Sequence, residues 1–118
     1  MSKRSDREFL SDVREAIRRI KAYTVKMNYE SFLDDTKTQD AVVRNLEIIG
    51  EAAKGLSGEL REKYTSIPWK SISGVRDRLI HHYFGVNLDV VWEIISSELD
   101  EVLSQVENIL REMENKGR

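Results

Sequence analysis

The chain has 118 residues and a net charge of −2 at pH 7, with 40% hydrophobic and 34% charged residues. These values are typical of one globular domain, and they exclude wholesale disorder and a generally basic nucleic-acid-binding surface. Disulfides, thiolate catalysis and cysteine-based zinc sites are also excluded, because there is no cysteine. We expect a single domain over residues 1–118.

The absence of cysteine is compatible with a reducing cytosol. No apolar run approaches the roughly 20 residues of a membrane span. The N-terminal sequence MSKRSDREFLSD is charged and contains no apolar signal-peptide segment. We therefore expect a cytoplasmic protein with no membrane partner.

Apolar residues in the first half of the chain recur at spacings of three and four, which predicts amphipathic helices. A first helix runs from about Ser5 to Met27, and Ser5 or Asp6 could cap it. Its inner stripe contains Phe9, Leu10, Val13, Ile17 and Ile20. Tyr29 to Asp35 is a short link before a second helix from about Thr38 to Leu56. Gly50 lies inside this second helix at a cost of about 1 kcal/mol, so we expect another helix to approach closely there.

The second half of the chain is also predicted to be helical. Ser57 to Lys63 could form a short helix, and a longer one runs from about Trp69 to Phe84. The sequence GVN at Gly85 to Asn87 predicts a stop followed by a new cap, and the last helix runs from about Leu88 to Glu114. The predicted fold is an all-α, up-down bundle of four to five helices.

One segment, RDRLIHHY at residues 76–83, contains two arginines, a tyrosine and both histidines of the chain. At about 100° per residue, Arg76 and Tyr83 are about 20° apart on an apolar stripe with Leu79 and Ile80. An arginine on a buried stripe must find an anion or extend to solvent. A pair with a buried glutamate such as Glu51 is the alternative to a ligand-binding role for Arg76.

The opposite side of the same helix carries Asp77 and His81, whose spacing of four allows a carboxylate–imidazole contact. Asp77 could orient His81 and raise its pKa. His82 is most simply a surface or interface residue. Arg76 and His81 are about 140° apart on a straight helix. They converge only if the helix is distorted, if the arginine wraps around, or if a second subunit completes the site.

The pattern R-x4-H-x-Y formed by Arg76, His81 and Tyr83 resembles the signature of HEPN-domain toxins, specifically the HepT family. The flanking segments NLEIIGEAAKGLS, IPWKSISGVRD and HYFGVNLDVVWEII, at residues 45–57, 67–77 and 82–95, are also similar to that family. The resemblance covers essentially the whole chain. This chain differs from the family pattern at Asp77, where the family often has asparagine.

The resemblance implies a HEPN-like bundle that forms a homodimer with the R-x4-H residues of both subunits at a shared cleft. It implies a toxin with metal-independent endoribonuclease activity and no cofactor. The implied partners are RNA and a minimal nucleotidyltransferase (MNT) antitoxin, which would inactivate the toxin by transferring AMP to Tyr83.

These residue types suit RNA cleavage without a metal. His81 is the expected general acid/base, Arg76 the phosphate clamp and Asp77 the residue that orients His81. Arg78, Lys70 and His82 are lesser candidates for contact with the substrate. The alternative function is a non-catalytic helical module that binds a nucleotidyltransferase or a nucleotide.

Overall fold

The computed structural model describes residues 4–80 and 85–116, which form eight helical segments. The segments are α1 (Asp6–Thr24), α2 (Tyr29–Leu33), α3 (Thr36–Gly55), α4 (Gly58–Lys63), α5 (Trp69–Ser73), α6 (Val75–Leu79), α7 (Leu88–Ser97) and α8 (Leu99–Lys116). The predicted all-α class is confirmed. The predicted number of four to five was too low, because two long helices are interrupted and one link is helical.

Helix α1 begins at the cap that the sequence indicates. The Ser5 hydroxyl accepts a hydrogen bond from the Glu8 backbone N–H at 3.2 Å, and the Glu8 carboxylate accepts one from the Ser5 backbone N–H at 3.0 Å. The bond from the Ser5 backbone lowers the pKa of Glu8. The predicted stripe is buried except for Phe9, which is half-buried. The helix ends at Thr24 rather than near Met27.

Helix α3 is central and packs against α1, α2, α5 and α6. The predicted close approach at Gly50 is confirmed, because a Cβ atom there would lie 3.0 Å from Val75 Cγ1. It would also lie 3.5 Å from the backbone oxygens of Ile72 and Ser73. Residues 29–33, predicted as a link, form the short helix α2 because Asn28 caps them and Phe32 is fully buried.

The predicted continuous helix from Trp69 to Phe84 is wrong. Helix α5 ends at Ser73, and the separate helix α6 ends at Leu79. Ile80 is extended and forms an isolated antiparallel bridge with Val86, next to Gly85 at a φ of 81°. The part of the prediction that covers residues 81–84 lies outside the described residues.

The predicted last helix divides at Glu98 into α7 and α8. The predicted cap is confirmed, since the Asn87 side chain accepts a hydrogen bond from the Val90 backbone N–H at 3.2 Å. Val91 and Ile94 are the buried residues of α7, whereas Trp92 is only half-buried. No helix among the described residues is long and apolar enough to cross a membrane.

Candidate active site

Arg76 lies at the edge of a groove between α3 and the α5–α6 segment. Its side chain is 67% exposed, and its Nε lies 4.0 Å from Glu47 Oε2. The predicted position of Arg76 on a buried stripe is therefore wrong. Helix α6 instead buries Val75 and Leu79, while Ile80 is 45% exposed.

Glu51 is not the partner of Arg76. Its side chain is 73% exposed, and its carboxylate lies 3.5 Å from the Lys54 ammonium. The nearer carboxylate, Glu47, is one helical turn earlier, and its distance from Arg76 is too long for a hydrogen bond. Within the described part of the chain, the Arg76 guanidinium thus has donors available for an anion such as phosphate.

A second, adjoining groove brings Arg76 together with two lysines from other helices. Its lining consists of Lys54, Lys70, Ser73, Gly74, Arg76, Asp77 and Ile80. Lys70 is exposed here, as a substrate-contacting residue would have to be. A Cβ atom at Gly74 would meet only its own helix, at Lys70 O, so the groove is open at this point.

Lys54 was not singled out from the sequence, although one signal was present. Arg44, Glu47, Glu51 and Lys54 follow one another at spacings of three, four and three, which puts them on one face of α3. Gly50 marks the neighbouring face, against which α5 and α6 pack. Together these two observations bring Lys54 to the side of α3 that faces Arg76.

Arg78 points to a different neighbour from Arg76. Its guanidinium donates two hydrogen bonds to the Glu98 carboxylate, at 3.0 and 2.7 Å, and a third to Ser71 Oγ at 3.1 Å. The hydrogen bonds with Glu98 raise the pKa of Arg78. This engagement corrects the expectation of an arginine available for substrate, because the side chain already connects α6 to the junction of α7 and α8.

Asp77 is exposed in the groove with Arg76. His81, His82 and Tyr83 lie outside the described residues, so their predicted roles stay predictions. Because Ile80 is extended, the continuous helix assumed for residues 76–81 does not exist. Neither the separation of about 140° between Arg76 and His81 nor the helical spacing of four between Asp77 and His81 therefore applies. Of the predicted site residues, the structure brings together Arg76, Asp77 and Lys70 and directs Arg78 elsewhere.

Comparison with known proteins identifies the family of the chain. The sequence profile of the family described as Ribonuclease HepT-like matches residues 13–109, a range that includes the whole R-x4-H-x-Y segment. The chain belongs to the HepT-like family. The identification of a HepT-type HEPN protein from its motif and flanking segments is thereby confirmed.

Several relatives of this HepT-like chain match over nearly their full length. "Putative RNase MJ0127" and "Putative RNase MJ1216" of Methanocaldococcus jannaschii are 40% and 43% identical to it, over 98% of this chain and 96% of each relative. "Probable ribonuclease HepT" of Thermococcus cleftensis is 40% identical over 91% of this chain and 97% of the relative. No solved structure matches the chain.

Proposed function

We propose that the chain is a metal-independent endoribonuclease and the toxin of a HEPN/MNT toxin–antitoxin pair. The observation that carries the proposal is the exposed Arg76 guanidinium, which lines a groove with Lys54 and Lys70 in a chain of the HepT-like family. The ribonuclease names of the full-length relatives support the same chemistry.

RNA supplies its own nucleophile, the 2′-hydroxyl. Attack on the adjacent phosphorus requires a base for the 2′ proton, an acid for the leaving 5′-oxygen and a cation for the pentavalent phosphate. His81 is proposed for proton transfer, which is worth about 10²–10⁴-fold in rate. Arg76 is proposed to bind the phosphate through its planar fork, and Asp77 to orient His81.

The proposed site lies at the cleft of a homodimer. Ile80 lines the groove with Arg76 and is 45% exposed, and its bridge partner Val86 is 39% exposed. Apolar residues exposed beside a polar groove are typical of a surface that a partner covers. A second copy covering this edge would enclose the groove and contribute its own R-x4-H residues.

The proposed switch is transfer of AMP to Tyr83 by the MNT antitoxin. The modification would add bulk and a negative phosphate two residues after His81 in the sequence. Repulsion and occlusion would then both oppose RNA phosphate.

The nuclease proposal is tested by incubating purified protein with RNA in buffer that contains EDTA. We expect cleavage by the unmodified chain, and losses of at least about 100-fold for Arg76→Ala and His81→Ala. Arg19→Ala is the matched control, because Arg19 is also an exposed arginine, with its Nε 3.5 Å from Glu15 Oε1. Equal rates for Arg76→Ala, His81→Ala and the parent chain would refute the assignment. RNA binding without any cleavage would favour the non-catalytic module.

The switch is tested by mass spectrometry after incubation with the cognate MNT protein and ATP. We expect the mass of AMP on the parent chain and none on Tyr83→Phe, while Tyr64→Phe is modified normally. Tyr64 is a suitable control because its hydroxyl is already 2.6 Å from Glu112 Oε2. An unmodified parent chain with an active partner would contradict the switch.

A further inference from the structure

The groove beside Arg76 contains more positive charge than a single phosphate clamp requires. Three cations from three helices line it: Lys54 from α3, Lys70 from α5 and Arg76 from α6. Among the described residues that line it, Asp77 is the one carboxylate. This local excess of cations on a chain of net charge −2 makes the groove a candidate site for an anionic ligand.

The two lysines are available for such a ligand. Lys70 is exposed. The Lys54 side chain is 57% exposed, and its pair with Glu51 has a separation of 3.5 Å between residues three apart on one helix. Exposed pairs of this kind contribute little to stability, so a phosphate can displace Glu51 from Lys54 at small cost.

Ser73 and Gly74 line the groove together with the lysines and Arg76. Beyond its chain neighbours, a Cβ atom at Gly74 would meet only Lys70 O, at 3.2 Å, so no other described residue covers the groove at this position. Ser73 adds a hydroxyl that can hydrogen-bond a phosphate or ribose oxygen.

We propose that Lys54 and Lys70 form a second phosphate subsite, which binds the RNA backbone next to the phosphate held by Arg76. This inference rests on the proposed ribonuclease function and adds to it two residues that hold the substrate strand beside the cleavage site. Contacts of this type position the strand and carry no sequence information. Lys54 and Lys70 are thus substrate-binding residues that act on affinity, whereas Arg76 acts on the reacting phosphate.

The test measures binding of fluorescein-labelled single-stranded RNA to the full-length protein by anisotropy over a range of salt concentrations. The variant is Lys54→Gln/Lys70→Gln. The matched control is Lys26→Gln/Lys37→Gln, which removes two exposed lysines near the junctions of α2 with α1 and α3, away from the groove. Both variants change the net charge by the same amount, and circular dichroism confirms that both are folded.

Each phosphate contact contributes about 0.7 to the slope of log K against log salt for single strands. The groove variant should therefore lower the magnitude of that slope by about 1.4. At 0.1 M salt its affinity should fall about 25-fold, since each contact contributes about fivefold there. The loss should be equal for oligo(U) and oligo(A). In cleavage assays KM should rise while kcat stays close to that of the parent.

Two results would overturn the subsite while leaving the ribonuclease proposal intact. One is a groove variant that binds RNA like the Lys26→Gln/Lys37→Gln control while the parent chain binds and cleaves. The other is a loss confined to one base sequence, which would indicate base contacts instead of phosphate contacts. A parent chain that neither binds nor cleaves RNA would refute the ribonuclease function itself, and the subsite with it.

Discussion

The ion pair between Arg78 and Glu98 should stabilise both the fold and the position of Arg76. Helix α6 has only five residues, and its N-cap, Gly74, makes no side-chain capping hydrogen bond. So short a helix depends on tertiary contacts. The Arg78–Glu98 pair supplies one such contact, two residues after Arg76.

The size of the effect follows from the geometry and exposure of the pair. Its two parallel hydrogen bonds, at 3.0 and 2.7 Å, have the bidentate form that makes arginine–carboxylate pairs strong. An exposed ion pair contributes about 0.2–1 kcal/mol to stability, and a hydrogen bond to a charged group about 1.5–3 kcal/mol. The two side chains are 34% and 39% exposed, so the free energy contributed by this pair should lie between these ranges. We expect Arg78→Met, which keeps most of the apolar stem, to destabilise the protein by about 1.5 kcal/mol.

Urea and thermal unfolding at pH 7 measure this change. For a domain of this size a loss of about 1.5 kcal/mol should lower Tm by about 6 °C. Arg78→Lys keeps the positive charge but cannot form the two parallel hydrogen bonds of the guanidinium, so it should lose about half as much stability as Arg78→Met. A double-mutant cycle with Glu98→Gln should give a coupling energy of about 1 kcal/mol. A coupling energy below about 0.3 kcal/mol would show that the Arg78–Glu98 pair does not stabilise the fold.

Three further predictions concern packing, capping and the site. Gly50→Val should destabilise the protein by about 2–3 kcal/mol in urea unfolding, because the new side chain would collide with Val75. Gly58→Val is the control, since a Cβ atom at Gly58 meets nothing within 4 Å. Equal losses of stability in the two variants would contradict the close packing at Gly50. Hydrogen bonds from the Thr38 backbone and hydroxyl lower the pKa of Asp35 from 3.8. The ionised Asp35 carboxylate therefore stabilises the fold above about pH 4, and this stabilisation is lost as pH falls through the lowered pKa. Asp35→Asn should flatten this part of the stability–pH curve, and an unchanged curve would refute the contribution of Asp35. Asp77→Ala should lower kcat of RNA cleavage, because it removes the carboxylate proposed to orient His81, and an unchanged kcat would exclude Asp77 as the orienting residue.

The helices of the first half could be predicted because local signals and tertiary packing agree there. Ser5 supplies a capping box, the stripe of α1 has regular spacing, and Gly50 is a residue whose cost in a helix indicates a close neighbour. Each of these signals depends on residues at most a few positions apart. Such local agreement is what makes a segment predictable from its sequence.

The site segment could not be predicted in the same way. The apolar pair Leu79 and Ile80 suggested one buried stripe, but Ile80 leaves the helix and pairs with Val86. Because the helix ends at Leu79, its buried face consists of Val75 and Leu79, and Arg76 lies on the exposed side beside the groove. The motif singled out Arg76, which lines this groove, but the helical projection assigned the residue the wrong surroundings.

Arg78 shows why residue type alone does not assign a role. Arg76 and Arg78 are two positions apart and both are cationic, yet one is 67% exposed in the groove and the other is held by Glu98 and Ser71. The break between α7 and α8 at Glu98 was equally unpredicted, and it coincides with this pair. Contacts between residues twenty positions apart leave no periodic signal in the sequence.

If this chain cleaves RNA through the 2′-hydroxyl with Arg76 at the reacting phosphate, the chemistry of the product ends must show it. The ends are determined after digestion of a labelled RNA in EDTA. We expect 2′,3′-cyclic phosphate and 5′-hydroxyl ends, no cleavage at a 2′-deoxy position, and loss of all products with Arg76→Ala. Products with 5′-phosphate ends, or normal cleavage by Arg76→Ala, would contradict it.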